Sequence, residues 1–252
     1  MSLQALIFDV DGTLADTERE GHRIAFNEVF KKNNLDWFWD EKLYGELLSV
    51  TGGKERMKYY LDKYNTQFAK PENYNEFIQN LHSEKNTVFV DLLRNGKIGL
   101  RVGVKRIIAE AQEAGLRLAI ATTTSPENIH NLLVATLGKE SLAWFDVIAA
   151  GDIVPAKKPA PDIYTYTLAQ MGINADQAIA LEDSENGIKS SLAANLKTVV
   201  TVNDYTLKHD FTGASLVVDC FGDASHAMQV IAGESFGKNM IDIELLKNIA
   251  NA

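Results

Sequence analysis

Asp9-Val10-Asp11-Gly12-Thr13 places two carboxylates two residues apart, directly after the apolar run that ends at Phe8. One carboxylate of such a pair can attack an electrophile or bind a metal while the other moves protons, and the glycine lets the chain turn. A calcium loop would need further oxygen donors at D-x-D-x-D-G spacing and a later glutamate, and this sequence lacks them. A solvated acidic turn is the plain alternative. A second acidic segment, Leu181-Glu182-Asp183-Ser184-Glu185-Asn186-Gly187, also closes an apolar run and opens a helix-length stretch. Taken alone it reads as helix capping, with Asp183 or Ser184 as N-cap and acids in the first turn. Placed beside Asp9 and Asp11 in a parallel sheet, it completes a carboxylate cluster that repels itself unless a cation sits in it. Oxygen-only donors favour Mg²⁺.

Two further segments could handle an anion. Lys158, in Lys157-Lys158-Pro159-Ala160-Pro161-Asp162, has its backbone restricted by Pro159, and Pro161 can start a helix. A lysine in a loop is usually a solvated charge; the constrained setting here suits charge neutralisation instead. Thr122-Thr123-Thr124-Ser125-Pro126 offers hydroxyls and free N–H groups leading into a helix N-terminus, an anion cradle. Ser125 by itself reads more simply as the N-cap before Pro126.

These residues need a scaffold that brings distant segments together. Short apolar runs recur at Leu3–Phe8, Arg117–Ala121, Phe145–Ala149, Ala178–Leu181, Thr198–Val202 and Ser215–Val218. Strands covered on both faces read this way. Amphipathic stretches at Gly103–Ala114, Pro126–Leu137, Pro161–Met171 and Ser184–Ala194 lie between them. This alternation predicts right-handed βαβ units and an α/β fold with a Rossmann-like parallel sheet. The chemistry-bearing segments all fall at carboxyl ends of strands, where open α/β sheets bind ligands. Residues 17–92 break the rhythm with long helical patterns, at Thr17–Asn33 and Asn73–Leu93, and no strand. They predict a helical domain inserted after the first strand, leaving 1–16 and 93–252 as the core. A last helix is expected over Ile241–Ile249.

Composition narrows the classes of function. The 252 residues carry 25 basic and 34 acidic side chains, a formal charge of −9. Nucleic-acid and anionic-membrane partners need a basic face and are not expected. One cysteine, Cys220, excludes an intramolecular disulfide and a multi-cysteine zinc module. No apolar run approaches the ~20 residues of a membrane span. Asp9 and Asp11 follow the first apolar run too closely for a signal peptide. The expectation is a soluble monomer in the cytoplasm, or in another reducing compartment such as a plastid stroma after processing.

The four chemistry-bearing segments, in this order, resemble the motifs of haloacid dehalogenase-superfamily phosphatases. Asp9-x-Asp11-Gly12-Thr13 resembles the nucleophile motif and Thr122 the small-hydroxyl motif. Lys158 in K-P-x-P-D resembles the lysine motif, and Glu182-Asp183 the acidic metal motif. The insert resembles the four-helix cap of the β-phosphoglucomutase-like branch. Glu18, Trp37-Phe38-Trp39 and Thr51-Gly52-Gly53-Lys54-Glu55-Arg56 are similar to the CbbY group, whose members dephosphorylate sugar phosphates, including xylulose 1,5-bisphosphate.

The resemblance implies that Asp9 becomes an aspartyl-phosphate and that Asp11 protonates the leaving oxygen, then activates water. It implies Mg²⁺ on Asp9, the Asp11 main-chain carbonyl and Asp183, with Glu182 helping through water. It also implies that Lys158 and Thr122 hold the non-bridging oxygens; Thr123 and Thr124 join them as candidates from the hydroxyl cradle itself. Dehalogenases lack the second acid, so Asp11 favours phosphate over haloacid. The substrate is expected to be a small phosphorylated sugar. The candidates for reading it are Glu18, His22, Tyr44, Gly52, Gly53, Lys54 and Arg56; a loop glycine pair and a solvated charged face are the plain alternatives. The tryptophan segment reads as packing. A β-phosphoglucomutase-type phosphomutase and, more remotely, a non-enzymatic binding protein remain alternatives.

Overall fold

The structure, a computed structural model, describes residues 3–252. The chain opens on β1 (Ala5–Phe8) and then enters helices: one π-helical turn, Glu18–His22, running straight into α1 (Arg23–Lys32), then α2 (Glu41–Leu47), α3 (Gly53–Lys63) and α4 (Tyr74–Arg94). α5 (Val104–Glu113), β2 (Arg117–Ala121), α6 (Pro126–Leu137), β3 (Phe145–Ala149), α7 (Asp162–Met171) and β4 (Ala178–Glu182) follow. The chain finishes with α8 (Glu185–Ala193), β5 (Lys197–Thr201), β6 (Leu216–Val218), β7 (Val230–Gly233) and α9 (Ile243–Asn251). Two compact units result, residues 3–16 with 99–252 and residues 17–98.

The first unit is a seven-stranded sheet of order β3-β2-β1-β4-β5-β6-β7, parallel except where β7 pairs antiparallel with β6. Alternation along the strands sorts their side chains by size. Ala5, Ala119, Ala121, Ala178 and Ala180, with Ile7, share one face and pack on Ile163, Tyr164, Leu168 and Met171 of α7. These small residues let α7 close on the sheet. The intervening Leu6, Phe8, Leu118, Ile120, Ile179 and Leu181 point to the opposite face and are likewise buried. α5 packs there on β2 and α9 on β4. Both faces are covered, so the strands read as unbroken apolar runs.

The antiparallel strand β7 is an addition to the six runs read in the sequence. All four of its residues are exposed, so it carries no burial pattern, and only its pairing with β6 makes it a strand. The last helix begins two residues later than expected, because Asp242 caps it by accepting from Leu245 N at 2.7 Å.

In the second unit α1 packs along α4 around an aromatic core. Trp39 is fully buried against Phe26 and Phe30, at ring-centroid distances of 4.7 and 4.9 Å. Trp37 contacts Phe30, Tyr60 and Phe68. Phe38, between them, points outward. Asn27 brackets Trp39 with two 2.8 Å bonds, to its carbonyl and from its N–H. The unit extends to residue 98, beyond the expected 92. α4 runs to Arg94, and Ile98 is buried so tightly over Gly21 that a Cβ there would lie 2.6 Å from it. Among the described residues no helix is long and apolar enough to cross a membrane.

Candidate active site

The chain builds β1, β2 and β3 outward to one side, then crosses back to lay β4 against the other side of β1. The direction of winding thus reverses between β1 and β4, and a crevice opens at the carboxyl ends of strands at such a point. β1 pairs with β4 in the register Phe8↔Leu181. Asp9 N extends the ladder by donating to Leu181 O at 2.9 Å. Strand pairing alone therefore brings Asp9 beside Glu182 and Asp183. One carboxylate oxygen of each of the three lies within 4.8 Å of the others, and all three residues are buried.

Lys158, between β3 and α7, reaches into this group. Its Nζ donates to Asp9 Oδ1 at 2.7 Å and to Glu182 Oε1 at 2.6 Å. The Tyr164 hydroxyl, on the first turn of α7, donates to the same Glu182 oxygen. Asn203, two residues past β5, donates from Nδ2 to Asp183 Oδ2 at 2.6 Å. Burial pushes the Asp9 carboxyl up to about 7; Lys158 opposes this, while Glu182 and Asp11 add to it. Asp183 is raised well above the usual carboxylate range by burial and then by Asp9 and Glu182. Burial works against the charge on Lys158, but Asp9 and Glu182 outweigh it and hold its pKa above the ordinary lysine value. Three buried carboxylates facing one ammonium leave negative charge uncompensated. The donors are all oxygens in a tight group, and this set fits a hard divalent cation such as Mg²⁺.

Two glycines make the approach possible. Gly12 has φ +88°, and a Cβ there would stand 2.2 Å from Asp183 Oδ2. A Cβ on Gly187 would stand 1.8 Å from Glu182 Oε2. The capping interpretation of the second acidic segment also holds, for a different residue than the site needs. Ser184 Oγ caps α8 by accepting from Gly187 N at 3.1 Å, which leaves Asp183 to the carboxylate group.

Asp11 sits half-buried in a tight turn in which Leu14 N donates to Val10 O at 2.9 Å. Thr122 follows β2 and is buried; its Oγ1 accepts from Thr124 N at 3.3 Å. Thr123 and Thr124 are half-buried beside it. Ser125 caps α6 from its side chain with Pro126 as the first helical residue. Pro161, expected to open α7, is its N-cap instead.

In the helical unit the structure joins three of the seven candidates. The Tyr44 hydroxyl donates to Glu18 Oε2 and accepts from Arg56 Nη1 at 2.8 Å, with Arg56 3.5 Å from Glu18. His22 has its Nδ1 2.8 Å from Lys85 Nζ and its ring 4.1 Å from that of Phe89. Gly52 caps α3 with φ +99°, and Gly53 is held close to His82 and Phe26. Arg56 is buried whereas Lys54 is half-buried. Two residues apart on a helix is about 200° of rotation, so the two cations point in different directions from α3.

Tyr164, Asn203 and Arg101 were not singled out in the sequence. Asn203 had a signal, its place just past a parallel strand. Tyr164 had a weaker one, two residues after K-P-x-P-D.

A carboxylate pair after the first strand, a lysine after the third and an acidic pair after the fourth all lie at the carboxyl ends of strands in one sheet. Residues 6–201 match the family model of haloacid dehalogenase-like hydrolases. The chain belongs to that family, and within it to the phosphatases of the CbbY group. It is 45% identical to protein CbbY of Cereibacter sphaeroides over 88% of this chain and 94% of that protein. The crystal structure of CbbY from Rhodobacter sphaeroides in complex with phosphate superposes with a TM-score of 0.81 at 45% identity, covering 88% of this chain and 96% of that one. A mutant of that protein in complex with xylulose-(1,5)bisphosphate matches with the same TM-score and coverage. The chain is thus a sugar phosphatase of the haloacid dehalogenase-like family.

Proposed function

We propose that this enzyme hydrolyses a ketose 1,5-bisphosphate, xylulose 1,5-bisphosphate being the leading candidate, with Asp9 as nucleophile and Asp11 as general acid and base. The carrying observation is Lys158 Nζ held between Asp9 and Glu182 at the point where the sheet's winding reverses. An Asp9 oxygen attacks phosphorus, the bond from phosphorus to the sugar oxygen breaks, and Asp11 gives that oxygen its proton. Asp11 then takes a proton from water as it cleaves the aspartyl-phosphate, which splits one hard transfer into two easier ones. Lys158 and Thr122 hold the non-bridging oxygens, over which the charge of the transferring group is spread. Asp9, the Asp11 main-chain carbonyl and Asp183 would hold Mg²⁺, which screens the repulsion between a carboxylate and a phosphate dianion. Glu182 has one oxygen committed to both Lys158 and Tyr164, so its part is to hold the lysine. In the helical unit Glu18, Tyr44 and Arg56, with Lys54, read the rest of the sugar. The substrate choice is supported by the CbbY complex and by the Tyr44 hydroxyl, Arg56 and Lys54, groups suited to sugar and phosphate oxygens.

The test is a panel of phosphorylated sugars assayed with Mg²⁺ and again after EDTA. A ketose 1,5-bisphosphate should be turned over best, EDTA should remove the activity, and added Mg²⁺ should restore it. Full activity in metal-free buffer would sink the metal assignment. Preference for an aldose monophosphate would sink the substrate assignment. Phosphoryl return to the sugar, seen as an isomeric sugar phosphate, would point to a mutase.

A further inference from the structure

Arg101 is the most heavily committed side chain beside the site, and nothing in the reaction scheme above uses it. It follows the chain's re-entry into the sheet unit and precedes α5. Its main chain is tied to the nucleophile turn: Arg101 N donates to Leu14 O at 2.9 Å, and neighbouring Leu100 bridges to Ala15, which in turn bridges to Asp11. Its guanidinium then spans three separate segments. Nη1 donates to the Gly12 carbonyl, and to Thr201 O at 2.9 Å and Thr201 Oγ1 at 3.1 Å. Nη2 donates to Val202 O at 2.5 Å and Asp219 O at 2.7 Å. Nε lies 3.4 Å from the Asp16 carboxylate, and the side chain is 8% exposed.

The identity of those carbonyls gives the arrangement its meaning. Gly12 follows Asp11 directly. It sits at positive φ, where glycine alone is relaxed, and its carbonyl is one of the acceptors of the fork. Val202 precedes Asn203, whose amide holds Asp183 at 2.6 Å. One planar fork thus joins the residue after one catalytic carboxylate to the residue before the partner of another. A lysine ammonium is a point donor and cannot span four carbonyls on three segments, whereas the guanidinium carries five N–H groups in fixed geometry.

We propose that Arg101 is a positioning residue that fixes the Asp11-Gly12 turn against the ends of β5 and β6, so that Asp11 meets the leaving oxygen in register. The inference rests on Asp11 being the general acid. A displacement of about 1 Å at such a group costs on the order of 100-fold in rate. The loss should fall on steps that need a proton delivered, and spare those that do not.

The experiment compares wild type, Arg101→Ala, Arg101→Lys and Asp11→Asn with Mg²⁺, on phosphate monoesters whose leaving groups range from p-nitrophenol to simple alcohols. The burst of alcohol or phenol release isolates formation of the phosphoenzyme. Arg101→Ala should slow the burst about 100-fold for alcohols and only a few-fold for p-nitrophenol, with KM nearly unchanged. Arg101→Lys should behave like Arg101→Ala, since charge without the fork is not enough. Guanidinium ion added to Arg101→Ala should recover part of the alcohol rate. An equal fall for both leaving groups overturns the proposal in favour of a general structural role, and full activity in Arg101→Lys overturns the fork. If Arg101→Ala does not fold, Arg101→Lys is read against the same two criteria. Asp11→Asn separates the layers. If it too shows no dependence on leaving group, the general-acid assignment fails and takes the inference with it. If it shows that dependence and the Arg101 variants do not, only the inference fails.

Discussion

Asp9, Lys158 and Glu182 form a chain of charge in which each member is defined by the next. Burial raises the Asp9 carboxyl and the ammonium opposes it, and the balance, with Glu182 and Asp11 adding to the rise, leaves the group at about 7. The ammonium also aims the Asp9 oxygen, by a 2.7 Å bond to Oδ1. If Asp9 is the proposed nucleophile, Asp9→Asn keeps the shape and removes it, because an amide cannot form the acyl-phosphate. Its turnover should fall by at least about 1000-fold, while the urea midpoint stays near that of wild type. Steady-state assay beside equilibrium unfolding checks both halves. A variant with near wild-type rate would end the nucleophile assignment.

At the scale of elements, the positions of helices α7 and α8 decide whether those residues can meet. α7 closes on a face of alanines, which carries Tyr164 to Glu182. α8 starts so near the end of β4 that only a hydrogen fits at Gly187. Gly187→Ala should therefore destabilise the protein by about 1–3 kcal/mol through overpacking, and should lower kcat as well, because the atom displaced is a Glu182 oxygen. The comparison is Ser184→Ala, which removes the cap of the same helix at a cost of about 1 kcal/mol without a clash. Denaturant midpoints and kcat for both variants measure this. Equal stability of Gly187→Ala and wild type would show that Glu182 has room to move.

The whole molecule divides its labour between two units of one chain. On the proposed reading the sheet unit holds the groups that handle the transferring phosphoryl, which any phosphate ester supplies. The helical unit holds the Glu18–Tyr44–Arg56 cluster and Lys54, which on the same reading serve a substrate with something more to recognise. Lys54→Ala should thus lower kcat/KM on a ketose bisphosphate by about 30- to 1000-fold, the equivalent of roughly 2–4 kcal/mol for a lost charged contact. Hydrolysis of p-nitrophenyl phosphate should change little. Parallel loss on both substrates would place Lys54 in the folding of the helical unit.

By itself the sequence determined the parallel sheet, because strands buried on both faces and amphipathic helices leave period and polarity in one dimension. It also determined the acidic and lysine motifs, because residue type and position at a strand end carry the chemistry. The packing role of Trp37 and Trp39 was legible from their place in the insert. Only the tertiary structure decided the rest. Strand β7 exists through a partner, with no burial pattern of its own. His22 takes its partner Lys85 from 63 residues away in the chain. Arg101 reads as an ordinary cation ahead of a helix until folding places four carbonyls from three segments around it. Contacts of that kind depend on where separate segments meet in space, and neither local propensity nor spacing encodes that meeting point.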